Sequence, residues 1–98
     1  MCTMIVHQAK IMGCGKGAQG WFDLREANVS YDHPFNFPTE HALNIDFVNE
    51  AQGPSARVAV ELTPEAARKL AETILATLDQ AEAGGYLEES EHAAAHKA

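Results

Sequence analysis

The sequence predicts an α+β fold: a four-stranded, mainly antiparallel sheet followed by one long C-terminal helix packed on one face. Three observations carry this expectation. Apolar residues recur at three- and four-residue steps between positions 63 and 85. Upstream of that stretch the apolar period changes to two. Clusters of Gly, Pro, Asn and Ser separate the period-two segments.

The first segment, CTMIVHQAKIM, is apolar on both faces. That pattern suits a central strand or one lying at a subunit interface. GCGKGAQG follows, from Gly13 to Gly20, and its last six residues match G-x-G-x-x-G. A dinucleotide site needs that motif to open a helix whose N-terminus faces a pyrophosphate. Here WFDLREANVSY comes next and has no helical period, and Lys16 precedes Gly17 instead of a Ser or Thr. The stretch therefore reads as a flexible connection between strands. Phe22 and Leu24 then occupy one phase, Ala27 and Val29 the other. This slip predicts a bulge near Arg25-Glu26, or a second strand that starts only at Ala27.

In ANVSYDH, Ala27, Val29, Tyr31 and His33 alternate with polar residues. In HALNIDFVNE, His41, Leu43, Ile45 and Phe47 share one phase. EAQGPSA is a turn, and ARVAVEL is a fourth strand with Ala56, Val58, Val60 and Leu62 in phase. The helix has Thr63 as N-cap, Pro64 at its first position and Glu65 in its first turn. Ala67, Leu70, Ala71, Ile74, Leu78 and Ala81 form its stripe, and Gly84-Gly85 end it. Residues 1–85 are expected to form a single domain, and 86–98 an acidic, then alanine-rich, flexible tail. His92 and His96 fall in that tail and read as a solvated pair.

Composition narrows the function classes. Fourteen acidic against seven basic side chains give a net charge of −7. Nucleic acid and anionic membrane surfaces both require clustered Lys and Arg, so neither is an expected partner. No run of about 18 apolar residues is present, and the start shows no basic region leading into an apolar one. A cytoplasmic location is expected, with Cys2 and Cys14 as free thiols.

The histidines carry the chemistry. His7, His33 and His41 each lie in the apolar phase of a strand. A hairpin of the second and third strands brings His33 and His41 side by side, at the ends of the proline-pinned segment PFNFPTE. A late-starting second strand would place His7 opposite His33. Three imidazoles on one face, with an open position, is a catalytic metal arrangement. One transition-metal ion (zinc, copper or iron) is the cofactor this reading expects. Asp32 and Glu40 are then candidates to orient the ligands, and Tyr31, Phe35 and Phe37 to wall the pocket. The alternative is separate, hydrogen-bonded structural histidines or a metal-free base.

The opening MCTMIV, the segment ANVSYDHPF, and EHALNIDFVNEAQGP followed by RVAVELTPEAA together resemble a small bacterial family of about this length, a domain of unknown function. The resemblance covers nearly the whole chain to Gly85 and implies no activity or ligand. Two functions follow from the residues themselves. One is a small dimeric metal-binding protein with a three-histidine site, acting as an enzyme on a small molecule. The other is a non-catalytic homodimer that binds a small ligand or partner beside the PFNFP loop.

Overall fold

The computed structural model describes residues 5–87, which fall into two units divided after Pro64. The first unit is a four-stranded antiparallel sheet in the order β1 (Ile5–Gly17), β2 (Gly20–Asp32), β3 (Ala42–Val48), β4 (Arg57–Leu62). The second is the helix α1, assigned from Pro64 to Ala83. The element order is the α+β layout expected from the sequence.

Register sorts the side chains into two faces. Ile5, Tyr31, Leu43 and Leu62 stand in one cross-strand row; His7, Val29, Ile45 and Val60 in the next; Ala9, Ala27, Phe47 and Val58 in a third. This face is apolar. The rows of the other face are Val6-Ser30-Asn44-Glu61, Gln8-Asn28-Asp46-Ala59 and Lys10-Glu26-Val48-Arg57. That face is mainly polar, and Gln8 Nε2 donates to Asn28 Oδ1 across it at 2.8 Å. Among the described residues the buried ones are small: Ala27, Ala42, Ala56 and Asn49. Asn49 caps the 3-10 turn Glu50–Gln52 by accepting from the Ala51 N–H, and its Nδ2 donates to the Asp23 carbonyl at 2.9 Å. One amide thus fixes the β3–β4 connection and ties it to β2.

The glycine-rich stretch departs from expectation. It is strand, not a flexible connection: β1 continues to Gly17 and turns through Ala18-Gln19 into β2 at Gly20, whose φ of 109° suits glycine alone. The bulge lies in β1, where Ile11 and Met12 stand against Arg25, and not at Arg25-Glu26. The reason for the glycines is close approach. A Cβ on Gly15 would lie 3.0 Å from Leu24 Cδ2, and one on Gly17 3.1 Å from Phe22 Cε1. The Gly17 Cβ would also sit 3.2 Å from the Ser55 carbonyl and 3.5 Å from that of Arg57. The far end of β1 therefore comes alongside the start of β4, where a side chain would require its neighbours to give by a few tenths of an ångström.

The helix starts at Pro64 as its sequence predicts. It ends in a Schellman-type cap: Gly85 has φ 77°, and the Tyr86 N–H reaches the Ala81 carbonyl at 2.9 Å. Its stripe residues Leu70, Ile74 and Leu78 are 42%, 50% and 48% exposed. Most of the expected tail, including His92 and His96, lies outside the described residues, as do Cys2 and Met4.

Candidate functional site

The β2–β3 register ends on Asp32 opposite Ala42, so His33 and His41 face each other where the loop begins and ends. Their rings stack with centroids 4.7 Å apart and planes at 27°. His41 also stacks on Tyr31 at 5.8 Å and 15°. His33 Nδ1 lies 2.7 Å from the Glu40 carbonyl, a contact that requires a proton on Nδ1. The pairing of these two histidines is as the strand phases predict.

His7 is not with them. It pairs with Val29, four residues before His33 on β2, a separation of about 13 Å at about 3.3 Å per residue. The tip pairing Gly17↔Gly20 continued unbroken would set His7 opposite Ser30, and the β1 bulge moves it one residue further from His33, to Val29. Among the described residues no group of three or more His, Cys, Asp or Glu side chains could hold a metal ion. The expected three-histidine zinc, copper or iron centre at His7, His33 and His41, and the metal-dependent function built on it, are thereby corrected. The two carboxylates expected to support it act otherwise. Asp32 Oδ1 accepts the His33 backbone N–H at 2.7 Å, and Glu40 offers His33 its main-chain carbonyl.

The residue that organises this end of the sheet is Glu61, which the sequence reading passed over. Its carboxylate accepts the backbone N–H groups of Phe35 at 2.7 Å, Asn36 at 3.0 Å and Phe37 at 2.7 Å. Three successive amides form a concave nest around the anion. The Phe37 and Phe35 amides hold the Glu61 carboxyl below its usual pKa, with a smaller contribution from Asn36 and partial opposition from desolvation. The signal for Glu61 was present but weak: an acidic residue in the polar phase of the last strand, and a loop whose amides had no assigned acceptor.

The pinned loop and the polar sheet face enclose a cleft of about 530 Å³. Phe35, Asn36 and Phe37 border it on the loop side; Ser30, Asn44 and Asp46 lie on the sheet side. Phe37 is partly buried, whereas Phe35 is 97% exposed at the loop tip. Arg57 pairs with Asp46, Nη2 to Oδ1 at 2.6 Å and Nε to Oδ1 at 2.9 Å. Asn44 Nδ2 donates to the Asp32 carbonyl at 3.4 Å, while its Oδ1 is buried with no partner among the described residues.

A family model matches residues 1–87, from before the first described strand to beyond the end of the helix. The chain belongs to that family, a family of unknown function (DUF6295). The segments quoted from the sequence lie inside the matched region. Comparison with curated proteins and with solved structures brings no match. No helix among the described residues is long and apolar enough to cross a membrane.

Proposed function

We propose that this chain is a homodimeric, non-catalytic binding protein that takes a small, donor-rich polar molecule into the cleft beneath the 33–41 loop. The observation that carries the reading is the Glu61 nest, which fixes a loop over a polar face and so makes a preformed concavity. The sheet wall offers acceptors: the Ser30 hydroxyl and the Asp46 carboxylate. The one cation on this wall, Arg57, is already paired with Asp46. Small amines and polyols fit this chemistry better than carboxylic acids. The exposed free thiol of Cys14 supports a reducing, cytoplasmic setting.

The test is an amide NMR titration with a panel of small amines, polyols and carboxylic acids. Selective shifts at Ser30, Asn44 and Asp46 with amines or polyols are expected. No shift from any member, or shifts from the acids alone, sinks the reading.

A further inference from the structure

We propose that the Phe35, Asn36 and Phe37 amides form a carboxylate-binding site in their own right, that Glu61 occupies it from within the chain, and that this occupant makes the cleft select against acids. The selectivity rests on the ligand cleft proposed above. The anion site does not, and its test uses neither amines nor polyols.

The donors match a planar anion with two oxygens. The Phe35 N–H goes to Glu61 Oε2 and the Phe37 N–H to Oε1, each at 2.7 Å. The Asn36 N–H lies between them, 3.0 Å from Oε1 and 3.4 Å from Oε2. Each oxygen has a donor of its own, and the middle donor is shared. Successive amides in a concave nest favour negative charge, whichever group supplies it. The Phe37 and Phe35 amides lower the pKa of Glu61, as expected of donors that prefer the ionised form.

Contacts that do not involve Glu61 shape the nest. Pro34 and Pro38 fix φ on either side of it. The Thr39 N–H returns to the Phe37 carbonyl at 2.9 Å, and the Thr39 hydroxyl donates to the His41 carbonyl at 2.9 Å. His33 Nδ1 reaches the Glu40 carbonyl at 2.7 Å, and its ring stacks on His41. These contacts close the loop without β4. Glu61 arrives from that last strand, 24 residues after Phe37. It stands to the loop as a ligand stands to a site.

The consequence for the cleft follows from position. Phe35, Asn36, Phe37 and Glu61 all line it. Three adjacent N–H donors without an acceptor would draw an acid to that point, and Glu61 removes the attraction. Held on the same chain, its carboxylate meets the amides at an effective concentration of about millimolar or more. A free acid at lower concentration does not displace it. Its charge also joins those of Asp32 and Asp46 on the lining, and the three repel a second anion.

Chemical rescue tests the proposal. Glu61→Ala leaves Cβ in place and removes a methylene and a carboxyl group, the heavy atoms of acetate. In this variant, exchange at the Phe35, Asn36 and Phe37 amides should be fast. Acetate should slow it again and shift the same three resonances. Acetamide has the size of acetate but no charge and a single acceptor oxygen, so it should do neither. Sodium chloride at matched ionic strength should do neither as well. The wild type should show no acetate response at these amides, because Glu61 holds the site. If Glu61→Ala folds poorly, its melting temperature becomes the readout, and acetate should raise it above the value in acetamide. Failure of every amine and polyol to bind the wild type would remove the cleft reading and leave the rescue result standing. A wild type that responds to acetate as the variant does overturns the role of Glu61 in selectivity. Protection that acetate fails to restore, or that acetamide restores equally, overturns the anion site itself.

Discussion

The two ends of β2 are held by opposite means. At its C-terminal end, the 33–41 loop is fastened by groups that are present: the Glu61 carboxylate on three amides, and two stacked imidazoles. At its N-terminal end, the β1–β2 tip is admitted by groups that are missing. Gly15 and Gly17 leave room for Leu24, Phe22 and the Ser55 carbonyl. The stacked imidazoles declare themselves in the alternation of the sequence. A fastening made of absent side chains reads as looseness until the neighbouring strand is in place.

The largest effect is expected where this contrast is sharpest. Gly17→Ala puts a methyl group 3.2 Å from the Ser55 carbonyl and 3.1 Å from the Phe22 ring, so that a backbone group and a side chain must both give way. Overpacking of this kind costs about 1–3 kcal/mol, a drop in melting temperature of at least about 4 °C at this chain size. Gly13→Ala is the matched control, since nothing lies within 4 Å of its Cβ and its φ is not positive. Equal melting curves for the two variants would remove close approach as the reason for the glycines.

Acid should act at the other end of β2. The folded-state pKa of Glu61 is depressed by its amide partners, so its contribution is complete above the usual carboxylate range. It is lost as pH falls through the lowered folded value. Exchange at the Phe35, Asn36 and Phe37 amides should then accelerate, while the amide pairing of β1 with β2 at the glycine tip holds. Glu61→Gln should show the fast exchange at neutral pH and lose the acid response. If the variant and the wild type respond to acid alike, another group holds the loop.

These expectations also mark what was legible in the sequence. Phase alone located β3, β4 and the helix, and it brought His33 to His41, because a period of two and a short loop leave little freedom in a hairpin. It failed for His7. The tight turn at Ala18-Gln19 starts β2 at Gly20 and not at Ala27, and the glycines that allow it read as loop until the strand pairing is in place. The metal reading fell with that register. Glu61 was missed for a different reason: its partners are main-chain amides of Phe35, Asn36 and Phe37, and main-chain groups leave no trace in residue identity.

A smaller effect is expected from the histidine stack. His41→Ala removes the ring lying between Tyr31 and His33 while leaving the Glu61 nest in place. Stacked ring pairs contribute about 0.5–1.5 kcal/mol beyond area burial. The loss should appear in the melting curve with no acceleration of exchange at Phe35–Phe37. Fast exchange there would mean that the stack, and not the nest, fastens the loop.

The smallest effect belongs to the ion pair nearest the glycine tip. Arg57 and Asp46 meet at 2.6 Å, but their side chains are 48% and 34% exposed. Both partners remain in contact with solvent, and the long Arg side chain loses rotamer freedom to hold one geometry. Exposed pairs of this kind are worth about 0.2–1 kcal/mol and are screened by salt. Glu61 shares the polar face with Asp46, yet its donors are backbone amides that have already lost their freedom. Asp46→Asn should therefore lower the melting temperature by less than Gly17→Ala does, and the deficit should shrink as salt is raised. A deficit that persists in high salt would show that Asp46 acts through its shape in the cleft wall and not through its charge.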